Sequence, residues 1–474
     1  MKKIFLPVLI LIIILQPPVV KAQVNNIKQV VTGSWLGNLE AAGTTLRLVY
    51  KLKLNDRDSL MATMDSPDQG ASNVPLGRVV ARNDSLIIHA PLLMGVYKGS
   101  IKNDSTINGT WTQRGNRYTL DLKKISGPLK NNRPQEPKAP FPYTSEEVRF
   151  PNSKFNIFLA GTLTIPQGKG PFPAVILITG SGPQNRDEAL MGHKPFLVIA
   201  DWLTRNGIAV LRYDDRGVAK SQGVYSMATS ADLATDAEAA LSFLKTDSRI
   251  NPGMTGLMGH SEGGLIAPIV ASTNPGVAFI VSLAGPGVTG EEIVLKQNAD
   301  ISRISGLTEE KINDANDINR QLYEVIKSES DNQKAEDKVL ETYRKILTDK
   351  KMATDDIEQA AGNLQRTFGA KTYTWFRYFL ATDPATFWKK VKCPVLALNG
   401  EKDLQVSADL NLPAISNALK SSGNNNCTTI RLPGLNHLFQ HCTTGLPAEY
   451  SKIEETFSPE ALKIISDWIL GLRI

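Results

Sequence analysis

Two patterns of apolar and polar positions divide the chain. From about Val30 to Lys124, apolar residues alternate with polar ones in short runs: TTLRLVYKLKL, DSLMATMDS, DSLIIHAPLL, GVYKGSIKNDS, INGTWTQRG and YTLDLKKI. Alternation with period two predicts half-buried strands, and Asn-Asp, Asp-Arg-Asp and Arg-Gly-Asn stand where turns are needed. No helical period competes, so residues 23–127 are expected to form a small all-β unit, a barrel or a sandwich. Pro128 to Pro142 then carry five prolines in fifteen positions. Proline fixes φ and removes a donor, so 128–143 reads as a semi-rigid spacer.

Beyond the spacer the pattern changes. Near-continuous apolar runs, AVILIT, IAVLRY, TGLMG, AFIVSLAG, PVLALNG and TTIRLPG, are separated by helical stretches. Such runs predict a parallel sheet covered on both faces. SEEVRF and FNIFLAGTLTI precede them as an expected antiparallel pair. The α/β core is therefore expected over 144–287 and 391–474. The interval between, 288–390, is far longer than a crossover needs. Its apolar residues recur at three and four, which predicts helices. Emerging where ligands bind in open α/β sheets, it reads as an inserted helical cap.

Met1-Lys2-Lys3, the uncharged run Ile4–Leu15 and the small-x-small end Val20-Lys21-Ala22 follow the order of a secretory leader over 1–22. The run is short for a membrane span. An exported, periplasmic or extracellular protein is expected, with no stable membrane insertion once the leader is removed. The net charge of +6 includes Lys2, Lys3 and Lys21; without them 50 basic residues face 47 acidic ones. That balance is too weak and too evenly spread to argue for nucleic acid, and no nucleic-acid partner is expected. Three cysteines make no disulfide framework, although Cys427 and Cys442 flank one loop and are able to pair in an oxidising compartment.

Gly259-His260-Ser261-Glu262-Gly263 lies between a β run and a helical run. G-x-S-x-G in that setting is a tight strand-to-helix turn that exposes a nucleophilic serine. A serine needs a base, and the base an orienting carboxylate. Asp403 lies three residues beyond the glycine that ends PVLALNG, and His437 three beyond the glycine that ends TTIRLPG. Strand-end positions in the order serine, acid, histidine point to Ser261, Asp403 and His437. His441 is the alternative base, and Glu401 and Asp409 are alternative acids. His89 lies in the β unit, His193 precedes the serine, and the His260 side chain is expected to point away from that of Ser261.

The oxyanion needs two backbone N–H groups. Glu262 supplies one by position. The loop Gly180–Asp187 supplies the other, with Ser181 the expected donor. That loop lacks the last glycine of a dinucleotide fingerprint, and Arg186-Asp187 is expected to form an ion pair that braces it. Asp214-Asp215-Arg216 reads as a structural turn rather than a metal site, since no His or Cys stands at ligand spacing. No metal or cofactor is expected. Trp375, Phe376 and Tyr378 sit at helical spacing at the end of the cap, as core or as walls of a substrate pocket.

Together ITGSGPQNRD, YDDRG, GHSEGG, LNGEKDLQV and LPGLNHLFQ resemble the α/β-hydrolase superfamily, and more narrowly bacterial exported esterases and prolyl-oligopeptidase-like hydrolases. The resemblance covers about Glu146 to Ile474. It implies an α/β-hydrolase fold with Ser261, Asp403 and His437 as triad, and with Ser181 and Glu262 as oxyanion donors. Many relatives have His-Gly where this chain has Thr179-Gly180. The N-terminal unit, with Gly33-Ser34-Trp35, is weakly similar to small lipocalin-like barrels. The expected function is hydrolysis of a small acyl ester. A peptidase using the same triad is the rival, and a binding protein whose β unit recognises a glycan or lipid is the rival of another class.

Overall fold

The computed structural model describes residues 27–41, 44–69, 71–113, 115–127 and 132–472. The leader read over 1–22 lies outside these residues. Two compact units are present: among the described residues, those up to 66 and 71–127 form the first, and 67–69 and 132–472 the second.

In the first unit a short helix, α1 (Ile27–Val31), precedes ten strands. These are β1 (Gly33–Ala41), β2 (Thr44–Leu54), β3 (Leu60–Ser66), β4 (Ala71–Pro75), β5 (Val79–Arg82), β6 (Ser85–Ala90), β7 (Gly95–Ile101), β8 (Thr106–Gln113), β9 (Asn116–Thr119) and β10 (Leu122–Ile125). They form one antiparallel sheet in the order β4-β3-β2-β1-β10-β8-β7-β6-β5, with β9 on β8. Met64 of β3 and Ile88 of β6, near opposite ends of that order, share one core with Trp35, Tyr50, Tyr97 and Trp111. A single sheet whose two ends meet the same core is rolled, so the unit is of the barrel kind rather than a two-sheet sandwich. The run YTLDLKKI is two strands rather than one, because Asp121 turns its carboxylate to the N–H of Gly109.

The second unit holds an eight-stranded sheet: β11 (Tyr143–Asn152), β12 (Ile157–Pro166), β13 (Phe172–Ile178), β14 (Ala209–Tyr213), β15 (Ile250–His260), β16 (Ile280–Leu283), β17 (Val395–Gly400) and β18 (Cys427–Leu432). Their order is β11-β12-β14-β13-β15-β16-β17-β18. β12 is antiparallel to β11 and β14, and the remaining pairs are parallel. The side-chain period of two explains the continuous apolar runs. Along β13, Ile176 and Ile178 face one core, whereas Val175 and Leu177 face the other. The first core is closed by α3 (Ser230–Leu244), α4 (Gly263–Ala271) and α11 (Ala408–Ser421). The second is closed by α2 (Pro195–Arg205) and α13 (Pro459–Gly471).

Between β16 and β17 run α5 (Gly290–Ile304), α6 (Glu309–Ser328), α7 (Asn332–Asp349), α8 (Thr354–Thr367), α9 (Ala370–Ala381) and α10 (Ala385–Trp388). Their apolar faces meet in a cluster that includes Tyr323, Val339, Tyr373 and Phe376, together with Leu265 of α4. Much of the proline-rich stretch is not free chain. Arg133 donates to the carbonyls of Ile453 and Ser451 at 2.7 and 2.9 Å, and Gln135 bonds Thr456 and Phe457. A spacer read from proline content is thus tied down by two polar side chains.

Candidate active site

Ser261, Asp403 and His437 each lie in the turn or loop that follows the end of a parallel strand. Ser261 follows β15 directly and has φ near +51°, a left-handed conformation that costs a non-glycine residue energy. Its N–H bonds the Leu283 carbonyl, and its carbonyl accepts from Gly264 as the chain turns into α4. Gly259 makes the turn sterically possible, since a Cβ there would stand 1.9 Å from the Gly263 oxygen. The strand-to-helix turn therefore presents Ser261 under strain, at the start of a helix whose N-terminal dipole favours negative charge.

Asp403, beyond β17, and His437, beyond β18, are brought together. His437 Nδ1 lies 2.8 Å from Asp403 Oδ2, and both side chains are buried. Asp403 Oδ1 accepts the N–H groups of Gln405 and Val406, each at 2.8 Å. The two loops meet because residue 400 is glycine. A Cβ there would lie 2.3 Å from the Leu435 oxygen and 2.5 Å from that of Asn436. His437 stands beside the elbow, its ring 4.8 Å centroid to centroid from that of His260. The structure records no hydrogen bond from the Ser261 hydroxyl to His437; in resting enzymes that contact is commonly long and closes on the substrate. The other candidates are placed elsewhere. His441 is exposed and pairs with Glu455, Asp409 pairs with Arg431, and Glu401 caps the N–H of Gly434.

The loop after β13 lies over the elbow. A Cβ on Gly180 would stand 3.2 Å from that of Ser261. The N–H groups of Ser181 and Glu262 donate to no protein acceptor among the described residues. Arg186 and Asp187 do not pair with each other. Arg186 grips Asp214 and reaches Glu147, while Asp187 pairs with Arg212. Arg216 neutralises Asp236 rather than its own neighbours. Asp215 takes the Thr179 hydroxyl and the Gln184 N–H, each at 2.8 Å. Burial pushes its carboxyl up to about 8 against those bonds, with Glu262 and Glu188 nearby adding to the rise.

Two acids of the site escape the sequence reading. Glu188 accepts the Gly180 N–H at 2.8 Å and meets His260 Nδ1 at 2.9 Å. Its only trace in sequence is an acid eight positions past Gly180. The Glu262 side chain is buried, and its Oε1 accepts from Ser230 (2.6 Å) and from the Trp375 indole (2.7 Å). Burial raises its carboxyl, and those two donors pull the other way. Trp375 lines a cavity of about 550 Å3 with Ser181, Gly182, Pro183, Tyr225, Ser226, Phe368, Lys371 and Thr372. Phe376 is instead buried in the cap core, edge-on to Tyr323 and Phe368, and Tyr378 is not among the cavity walls. All three cysteines are free; Cys442 Sγ faces the Gly434 carbonyl rather than Cys427.

The sheet order and the elbow define an α/β hydrolase of the serine type. Over residues 157–434 the chain matches the model of the X-Pro dipeptidyl-peptidase (S15) family, and it belongs to that family. It is 35% identical over 139 residues to the Thermotoga maritima esterase EstD. That alignment covers 29% of this chain and spans only a third of the relative's length (33%). Solved structures that resemble it include the Pyrococcus furiosus esterase Pf2001, at 15% identity and a TM-score of 0.41, covering 69% of this chain and 92% of that one. Another is Est1E of Butyrivibrio proteoclasticus with ferulic acid bound, at 17% identity and a TM-score of 0.40, covering 68% and 96%.

Proposed function

We propose that the protein is an exported serine esterase that cleaves carboxylic esters through an acyl-enzyme. The observation that carries this reading is the buried Asp403–His437 pair, 2.8 Å apart, beside the strained Ser261. Ser261 Oγ attacks the ester carbonyl carbon as His437 Nε2 takes its proton. Asp403 holds Nδ1–H and stabilises the imidazolium. The carbonyl electrons move onto oxygen, where the N–H groups of Ser181 and Glu262 receive them. Collapse expels the alcohol, which takes the proton from His437. Water then attacks the acyl-enzyme, His437 again acting as base, and the acid and free Ser261 are released.

Two observations favour esters. EstD, the curated relative, is an esterase by name. The walls of the cavity beside Ser181 are largely apolar and aromatic, and among the described residues Lys371 is the one charged side chain on them. An acyl or alcohol group fits such walls, whereas a peptide's terminal ammonium finds no carboxylate on them. The S15 family match favours the second reading, a peptidase with the same triad. Purified enzyme assayed side by side on p-nitrophenyl esters and on Xaa-Pro anilides separates the two. The ester reading expects turnover of the esters with kcat/KM at least about 10²-fold higher. The reverse preference overturns it. Export is supported by the leader read over 1–22. N-terminal sequencing of mature protein is expected to begin at Gln23, and retention of Met1 contradicts that.

A further inference from the structure

His260 is bonded at both ring nitrogens, and both partners are oxygens. Nδ1 lies 2.9 Å from Glu188 Oε1 and Nε2 lies 3.0 Å from the main-chain carbonyl of His437. Glu188 Oε1 already accepts the Gly180 N–H. A neutral imidazole has one N–H, so beside an ionised Glu188 one of the two contacts would set lone pair against lone pair. Both contacts are satisfied together only when each holds a proton: one on Nε2 facing the His437 carbonyl, and one between Nδ1 and Glu188 Oε1, which the raised hold on the His260 proton assigns to the ring.

We propose that Glu188 and His260 form a buried carboxylate–imidazolium clamp that positions the catalytic base and the oxyanion loop against the elbow. The clamp joins three loops that are distant in sequence. Through Gly180 it holds the loop after β13. Through the His437 carbonyl it holds the loop after β18. His260 itself belongs to the end of β15. Neither residue touches the reacting atoms, so both are positioning residues, and the inference rests on the triad reading above.

The electrostatics agree with this charge state. Burial pulls the His260 proton off, but the Glu188 charge, its hydrogen bond, the His437 carbonyl and the more distant Asp403 outweigh burial and raise the proton's hold. The groups facing the ring are Glu188 from the loop after β13, Asp403 from the loop after β17, and His437 and Phe439 from the loop after β18. Asp215 lies beyond, within the electrostatic reach of Glu188. Loss of the ring proton at high pH breaks one arm of the clamp. The alkaline limb of kcat therefore follows the discharge of His260.

The test is Glu188→Gln, with His260→Gln beside it, assayed for ester turnover across pH. Glu188→Gln is expected to lower kcat by about 10²-fold, the cost of misplacing a catalytic group by an ångström, with KM nearly unchanged. It is also expected to move the alkaline limb down by about one pH unit, because the charge that retains the proton is gone. A second readout needs no variant: nitrogen NMR of the wild-type protein with labelled histidine, at pH 7. Two protonated ring nitrogens on His260, its signals assigned by their loss in His260→Gln, support the clamp. A neutral His260 ring overturns it. An unshifted alkaline limb in folded Glu188→Gln also overturns it, even if thermal stability drops. Failure of the triad reading is distinct: Ser261→Ala would then keep its ester turnover.

Discussion

Replacing Asp403 by asparagine tests how the base is held. The substitution keeps size and shape but swaps one acceptor for a donor. Asp403 Oδ1 accepts two main-chain N–H groups at 2.8 Å, and Oδ2 faces His437 Nδ1 at 2.8 Å. In Asp403→Asn the amide oxygen must take the Oδ1 position. The opposite orientation would turn NH2 against both N–H groups. At about 1 kcal/mol for each lost hydrogen bond, the flip costs about 2 kcal/mol before any repulsion is counted. The amide NH2 therefore points at Nδ1, which becomes an acceptor and leaves the proton on Nε2. In that tautomer the ring cannot accept the serine proton. Recovering the working tautomer by flipping the amide costs about 30-fold in rate. The missing stabilisation of the imidazolium carries the total toward the roughly 10⁴-fold loss known for such a change. The assay is kcat on a p-nitrophenyl ester near neutral pH, with KM and the thermal midpoint measured beside it. A loss of at least about 10²-fold with KM little changed is expected. Turnover within about threefold of wild type, in a folded protein, refutes the role given to Asp403.

Other perturbations follow from single contacts. Gly259→Ala drives a methyl group into the Gly263 carbonyl, so the thermal midpoint should fall by the equivalent of about 1–3 kcal/mol or more, with loss of activity. An unchanged midpoint contradicts the tight turn. Trp375→Phe removes a donor from the buried Glu262 and reshapes a cavity wall. It should cost about 1–3 kcal/mol in stability and raise KM for bulky esters, read by thermal melts and steady-state kinetics. His193 is held between Thr456 and the Tyr450 carbonyl, and burial pushes it down to about 4 from its ordinary 6.5. Between those values the unfolded chain binds a proton that the folded chain refuses, so stability should climb as pH rises from about 4 to 6.5. His193→Gln should flatten that slope in melts across pH, and an unaltered slope contradicts the assignment.

What can be read from the sequence is local, and what cannot depends on chain segments meeting. The parallel core is legible because a strand buried on both faces must be apolar at every position, as β13 is. Asp403 and His437 stand out because each lies a fixed step past a glycine at a strand end. Strand β1 is easily passed over because its buried apolar side chains, Trp35 and Leu39, are separated by Leu36, Gly37 and Asn38, which breaks the alternation. The hold of Arg133 on the carbonyls of Ser451 and Ile453 has no sequence signature, since every residue offers a carbonyl. The ion pairs Arg186–Asp214 and Arg212–Asp187 replace the expected pairing of neighbours in sequence because β13 and β14 are neighbours only in space. Glu188 and His260 escape for the same reason. The charge and bonding of that histidine are set by two loops brought to it from both directions along the chain.

The most direct measurement of the central claim is peptide-level mass spectrometry after treatment with a fluorophosphonate. A single adduct is expected on the peptide that contains Ser261. It should be absent in Ser261→Ala, which should also lose ester turnover, and slowed by at least about 10²-fold in His437→Ala. An adduct on any other residue, or turnover that persists in Ser261→Ala, contradicts the account.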